Sequence, residues 1–176
     1  MEKFLTIVKE MKVVIFDMYG VINFGSGVSP TVLQTLKTLR EDGKIVIILS
    51  NASFGSADAV SKYAKKGMFK GVHYDDVVTS GQFGYEAIQR GDVPVPGTTM
   101  YVFGTANFKR PEDKLPDLFK DSVYSVTEDM EKADFAYCGV PQIHGEDRMD
   151  IDDFIPELEK IRKRNLEMVC ANPDLR

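Results

Sequence analysis

Cysteine and histidine are scarce in this 176-residue chain, at two each. With Cys138 and Cys170 inside separate apolar runs, a disulfide-dense scaffold is excluded, and two buried thiols in a reducing compartment are expected. His73 and His144 stand in polar loop contexts without the neighbouring cysteine, histidine or acid spacing of a zinc site, which predicts surface positions. Long hydrophobic runs are also missing: stretches such as Ile45 to Leu49 fall far below the roughly 20 residues that span a bilayer. The opening MEKFLTIVKEMK has no basic start, long apolar segment or small-residue cleavage site, so a cytoplasmic location is expected. Excess positive charge is lacking too. A formal net charge of −5 gives no overall attraction to nucleic acid or an anionic membrane. The small basic clusters Lys65, Lys66, Lys70 and KIRKR at 160–164 read as solvated helix ends. Gly25 and Gly27 in NFGSGVSP complete neither a dinucleotide fingerprint nor a Walker sequence, and there are no internal repeats.

What is present is an ordinary globular balance, 43% hydrophobic and 28% charged, in a chain long enough to bury roughly 70% of its unfolded surface. VVIFD at 13–17 and KIVIILS at 44–50 are continuous apolar runs without polar alternation, the pattern of fully buried strands. Between them, Ser29 can cap a helix over 30–41, Pro30 fits its first turn, and Val32, Leu33, Leu36 and Leu39 share one face before Asp42-Gly43 ends it. A second helix is predicted at about 57–66, capped by Ser56 and stopped by Gly67, with Val60, Tyr63 and Ala64 inward. DVVTS at 76–80 is strand-like, Phe83 to Gln89 helical, and RGDVPVPG the best linker candidate. Short strands follow at 100–103, 123–126 and 135–140, with helices near 112–120 and in MDIDDFIPELEKIRKRN, and a last strand at 166–171. Alternating strands and helices argue for an α/β fold with a Rossmann-like parallel sheet.

In such sheets ligands bind at the carboxyl ends of the strands. Asp17 follows VVIF, Ser50-Asn51 follow IVIIL, and Asn172-Pro173-Asp174 follow EMVCA. A carboxylate there can hold a hard divalent cation or attack an electrophile. Gly20 permits a tight turn that brings amides toward an anion, and Ser50 and Asn51 suit phosphoryl oxygens. Strands also end in such residues merely because the chain reaches solvent.

DMYGVI at 17–22, ILSNAS at 48–53, VVTSG at 77–81, YVFG at 101–104, ADFAYCG at 133–139 and CANPD at 170–174 together resemble the haloacid dehalogenase-like hydrolases, specifically phosphatases of the NagD type. The resemblance implies an incomplete Rossmann-like core over 1–82, an inserted α/β cap domain over 83–164 and a strand returning to the core over 165–176. It implies a magnesium-dependent phosphohydrolase acting on a small phosphorylated metabolite through an aspartyl-phosphate on Asp17. Asp17 and the backbone carbonyl of Tyr19 would hold Mg2+, Gly20, Ser50 and Asn51 would bind phosphate, and Asn172 and Asp174 would mark the cap-to-core junction.

Two departures stand against that pattern. Tyr19 occupies the place of the family's second aspartate, and a phenol with a reference pKa near 10 is a poor general base at neutral pH, so packing under the cap is expected of it. Family chains also continue past the Asn-Pro-Asp segment to a lysine and an acidic pair. Neither Lys109 nor Arg110, both in the expected cap, takes the lysine's place. The sequence therefore reads as a shortened enzyme, a fragment, or one component whose other half comes from elsewhere. An open sheet edge would invite a second copy or another chain. A catalytically inactive metabolite-binding or assembly module is the alternative reading.

Overall fold

The computed structural model describes residues 7–25, 27–106, 114–143, 146–147 and 150–172. The chain divides into two compact units, Met1–Gln82 and Phe83–Arg176. In the first, β1 (Val13–Asp17), β2 (Ile45–Ser50) and β3 (Asp76–Thr79) form a parallel sheet in that order. Val13 lies opposite Ile45, Asp17 opposite Leu49, and Ser50 opposite Thr79. Helix α1 (Pro30–Glu41) begins where expected: the Ser29 hydroxyl accepts from the Val32 N–H at 3.3 Å and Pro30 occupies the first turn. Its apolar face delivers Leu36 into a core with Val46, Ile48 and Val77, while Val32, Leu33 and Leu39 pack around it. Helix α2 (Ser56–Ala64) starts one residue earlier than predicted. Gly55 is its cap residue and no side chain caps it, so Ser56 belongs to the helix proper. Tyr63 and Ala59, one turn apart, carry the fully buried contact.

The two strands are not buried on both faces as their composition suggested. Consecutive side chains still alternate between faces, and α1 and α2 cover only one of them. Phe16, Val46, Ile48 and Val77 meet the helices, whereas Ile15 is 60% and Leu49 51% exposed, beside the exposed Val13, Ile45 and Val78. An apolar run with no polar alternation carries no mark of which face lacks cover.

A carboxylate fastens this sheet to α1. Asp75 accepts from the Val46 N–H at 2.8 Å and from Arg40 Nε and Nη2 at 3.1 and 2.7 Å, while Arg40 Nη1 also donates to the Gly71 carbonyl.

The second unit is a parallel four-stranded sheet in the order β5 (Ser125–Val126), β4 (Thr99–Phe103), β6 (Phe135–Cys138), β9 (Met168–Cys170), with a small antiparallel hairpin of β7 (Gln142–Ile143) and β8 (Glu146–Asp147). Here both faces are covered. Phe135 and Tyr137 join Met100, Phe119 and Ile88 of helix α3 (Ser80–Arg90); Ala136 joins Phe103, Phe154 and Ile161, the last from helix α4 (Ile155–Arg164). Edge-to-face aromatic contacts run from Tyr85 through Phe119 to Tyr137 and Tyr124, with centroids 5.1–5.4 Å apart.

Four expectations change here. The segment expected to return to the first sheet instead pairs in parallel with β6, Cys138 opposite Cys170, so residues 165–172 belong to the second unit. The pattern of an apolar strand states that it enters a sheet but not which sheet. RGDVPVPG joins α3 to β4 inside the second unit, since its prolines mark a loop; the division falls at Gln82 and Phe83 within α3. The helix near 112–120 falls partly outside the described residues and otherwise is a single 3-10 turn, Asp117–Phe119; the strand at 123–126 shortens to Ser125–Val126. Finally, the thiols are not both buried: Cys138 is half-buried and Cys170, on the edge strand, is exposed.

The Arg40 hydrogen bonds hold the Asp75 carboxyl below its ordinary 3.8; burial opposes them, and the Val46 N–H adds to the lowering. The unfolded chain therefore binds the extra proton first. The stability this group adds is complete above about pH 4 and disappears as pH falls through the folded-state value. Asp75→Ala should lower the unfolding free energy at pH 7 by about 2 kcal/mol, because the Val46 N–H and Arg40 lose their acceptor. Urea titrations at pH 7 and pH 3 should show wild type losing more stability on acidification than the variant.

Candidate functional site

The carboxyl ends of β1 and β2 bring together four of the residues singled out in the sequence. Asp17 closes β1 and Ser50 closes β2; the register that sets Asp17 against Leu49 places Ser50 one step beyond it. Asp17 Oδ1 accepts from the Met18 N–H at 2.8 Å. The chain then turns on itself. The Met18 carbonyl accepts from the Ile22 and Asn23 N–H groups at 3.1 and 2.8 Å, and the Gly20 N–H donates to the Asn23 carbonyl at 2.9 Å. Gly20 adopts φ +83°, a conformation that side-chain-bearing residues rarely take, so glycine is what allows this closure. With its amide committed to Asn23, Gly20 shapes the turn rather than offering an N–H. Met18 and Ile22 are fully buried and anchor the turn from below, while Tyr19 is 45% exposed.

Ser50 is buried and its Oγ accepts from the Ala52 N–H at 3.3 Å; Asn51 beside it is exposed. The loop that carries them is fixed by the last residue of β3 and the two residues after it. Ser80 Oγ and the Gly81 N–H both donate to the Ala52 carbonyl, at 3.2 and 3.0 Å, and Thr79 Oγ1 donates to the Phe54 carbonyl at 2.7 Å. Lys62 Nζ lies 3.1 Å from the centroid of the Phe54 ring. The motif VVTSG thus acts as a clamp on the Ser50 loop, a role that its sequence did not disclose.

Beneath these strand ends lies Tyr63, fully buried, whose phenol is pushed up to about 12. Burial is the main cause; Ser50 opposes it, and the nearby Tyr19, Tyr74 and Asp17 add to it. No described hydrogen bond of ordinary geometry closes on the Tyr63 hydroxyl, nor on that of Tyr74, whose ring meets it edge-on with centroids 6.2 Å apart. Sequence reasoning found Tyr63 only as a core residue of α2. The missing signal is three-dimensional: its hydroxyl reaches the end of β2.

Asn172 lies in the second unit, exposed, with its carbonyl accepting from Cys170 Sγ at 3.1 Å; Asp174, His144, Lys109 and Arg110 lie outside the described residues. His73 is half-buried rather than at the surface. Its Nδ1 accepts from the Phe69 N–H at 2.9 Å, and burial, with Lys37 and Arg40, lowers its pKa.

For a hard divalent cation, Asp17 and the Tyr19 carbonyl are the right kind of oxygen donor. They are few: among the described residues no group of three or more His, Cys, Asp or Glu side chains could hold a metal ion. An open groove along α1, lined by Pro30, Thr31, Gln34, Thr35, Thr38 and Leu39, contains none of the candidate residues and no charge that would recognise phosphate.

Gly81 tests the clamp. A Cβ there would sit 2.1 Å from the Ser53 carbonyl oxygen, which is backbone and cannot swing aside. Alanine's helix propensity would return only about 1 kcal/mol, whereas forcing atoms into such a contact costs about 1–3 kcal/mol and displaces the loop. Gly81→Ala should therefore be less stable than wild type in urea denaturation, and amide exchange should quicken at Ala52 to Phe54.

The comparisons agree with this architecture. A family model described as haloacid dehalogenase-like hydrolase matches residues 14–115. No curated protein matches the chain. Among solved structures, a haloacid dehalogenase-like hydrolase from Brucella suis 1330 superposes with a TM-score of 0.77 at 22% identity, covering 96% of this chain and 56% of its own. A possible sugar phosphatase of the same superfamily from Cytophaga hutchinsonii ATCC 33406 gives 0.68 at 22%, covering 94% and 56%. NagD from E. coli K-12 gives 0.58 at 20%, covering 93% and 58%. The chain thus spans a little over half the length of these structures, and at such identities the likeness shows a shared fold. With a family model matched over more than half its length and the parallel α/β core that goes with it, the chain belongs to the haloacid dehalogenase-like hydrolases.

Proposed function

We propose that the chain serves a phosphohydrolase of the NagD-like type acting on a small phosphorylated metabolite. The observation that carries this reading is the arrival of Asp17 and of Ser50-Asn51 at neighbouring strand ends in a haloacid dehalogenase-like hydrolase. Asp17 would attack phosphorus, forming the aspartyl-phosphate as the P–O bond to the leaving alcohol breaks. Water would then release inorganic phosphate and restore the carboxylate. Ser50 and Asn51 would orient the phosphoryl oxygens, with Gly20 holding the turn open beside them. Asp17 and the Tyr19 carbonyl would hold Mg2+, which when bound offsets the charge of the phosphoryl group. The remaining acidic ligands would have to come from outside the described residues. The second unit would serve as the cap that selects substrate, with Asn172 and Asp174 at its end.

A specific observation favours the alternative, a metabolite-binding or assembly module without turnover. Tyr19 stands where a carboxylate would protonate the leaving group, and among the described residues Asp17 belongs to no group of three or more His, Cys, Asp or Glu side chains that could hold a metal ion. Phosphate release from a phosphate monoester in the presence of Mg2+ separates the two. The hydrolase reading expects turnover in wild type and a loss of at least about a thousandfold in Asp17→Asn, as for removal of a nucleophile. Equal rates in the two proteins would end the role given to Asp17. Absence of turnover with retained ligand binding would favour the module.

The uncovered sheet face is where a second copy or another polypeptide would dock. Burying the exposed parts of Ile15 and Leu49 is worth about 1 kcal/mol each, and a lysine at both would forfeit it. In sedimentation the Ile15→Lys, Leu49→Lys double variant should associate at least about tenfold more weakly than wild type, with unchanged helical circular dichroism. A wild-type chain that stays monomeric at all concentrations would remove this surface from consideration.

A further inference from the structure

The two cysteines, 32 residues apart in sequence, meet in space: Cys138 on β6 is the in-register partner of Cys170 on β9. Side chains at paired positions of neighbouring parallel strands leave the sheet on the same face. Their Cα atoms are separated by the strand spacing, about 4.8 Å, which falls inside the roughly 4.4–6.8 Å range that a disulfide bridges. The register thus sets the two thiols side by side on adjacent strands. Their surroundings differ. Cys138 is half-buried against the Phe103, Phe154 and Ile161 cluster, and its thiol is pushed up to about 12 by burial first and by Cys170 second. Cys170 is exposed on an edge strand, where a reagent can reach it, and its Sγ donates to the Asn172 carbonyl at 3.1 Å.

We infer that Cys138 and Cys170 form a thiol–disulfide modification site, in which Cys170 is the entry point for a small-molecule disulfide and Cys138 is the resolving thiol. The Cys170 thiolate attacks one sulfur of the reagent RSSR. The reagent's S–S bond breaks, one RSH leaves after taking a proton, and Cys170 carries the mixed disulfide. Cys138 then gives up its proton and attacks the Cys170 sulfur, displacing the second RSH. Two protein S–H groups have become one S–S bond and the reagent has been reduced to two thiols, so atoms and electrons balance. The mixed disulfide leaves Cys170 uncharged, which removes its opposition to ionisation of Cys138 and favours closure. The product ties edge strand β9 to β6 and removes the Cys170 donor from the Asn172 carbonyl. The site is independent of the reaction proposed for Asp17, which lies in the other unit.

The test exposes the reduced full chain to oxidised and reduced glutathione in graded ratios, traps free thiols with N-ethylmaleimide, and reads intact mass and peptide maps. The expected wild-type result is simultaneous loss of both alkylations, a product lighter by two hydrogens, and a linked peptide pair containing Cys138 and Cys170. Cys138→Ser should halt at a stable glutathione adduct on Cys170, and Cys170→Ser should react at least about tenfold more slowly than Cys138→Ser. A wild-type chain that accumulates the adduct with Cys138 still alkylatable would overturn the inference. So would crosslinking only between chains, or no reaction where Cys138→Ser is modified.

Discussion

The parallel register between β1 and β2 is the constraint on which the candidate site depends. Five successive pairings from Val13 opposite Ile45 to Asp17 opposite Leu49 bring both strands to the same edge with Ser50 as the next residue of β2. A slip of one residue would invert the faces of an entire strand. It would turn Phe16, Val46 and Ile48 away from the helices that bury them, so core packing and site geometry are specified together. On the other side of β2, the Asp75 carboxylate ties that strand to α1 by accepting the Val46 N–H while held by Arg40.

The elements legible in the sequence were those with local chemical signals. Ser29-Pro30 and Asp42-Gly43 bracket α1 because capping and termination depend on neighbouring residues alone. Strand ends at Asp17 and Ser50 were equally plain. What could not be read depends on partners distant in sequence. Leu166 to Ala171 reads as an apolar strand whichever sheet it joins, and its pairing with β6 is decided by the chain between them folding back through α4. Exposure of Ile15 and Leu49 follows from helices covering one face only, which a uniformly apolar run does not encode. The same holds for the site: Asp17, Gly20, Ser50 and Asn51 could be named from motif and spacing, whereas Tyr63 beneath them and the Thr79 to Gly81 clamp required the fold.

The two units solve the burial problem differently. In the second, β6 sends Phe135 and Tyr137 to one layer and Ala136 to another, so its sheet is sandwiched in the manner usual for parallel strands. In the first, the described helices lie on one side and the opposite face keeps a row of aliphatic side chains in water. That asymmetry puts the exposed aliphatic face on the first unit, whereas the thiol pair and its edge strand belong to the second.

One-sided cover has a thermal consequence as well. The heat capacity of unfolding rises with the apolar area that folding removes from water, and the first unit leaves part of its sheet hydrated even when folded. Its free energy accordingly changes more gently with temperature, residue for residue, than that of the doubly covered sheet. The flatter stability curve expected of the first unit thus follows from the same uncovered face that leaves Ile15 and Leu49 in water.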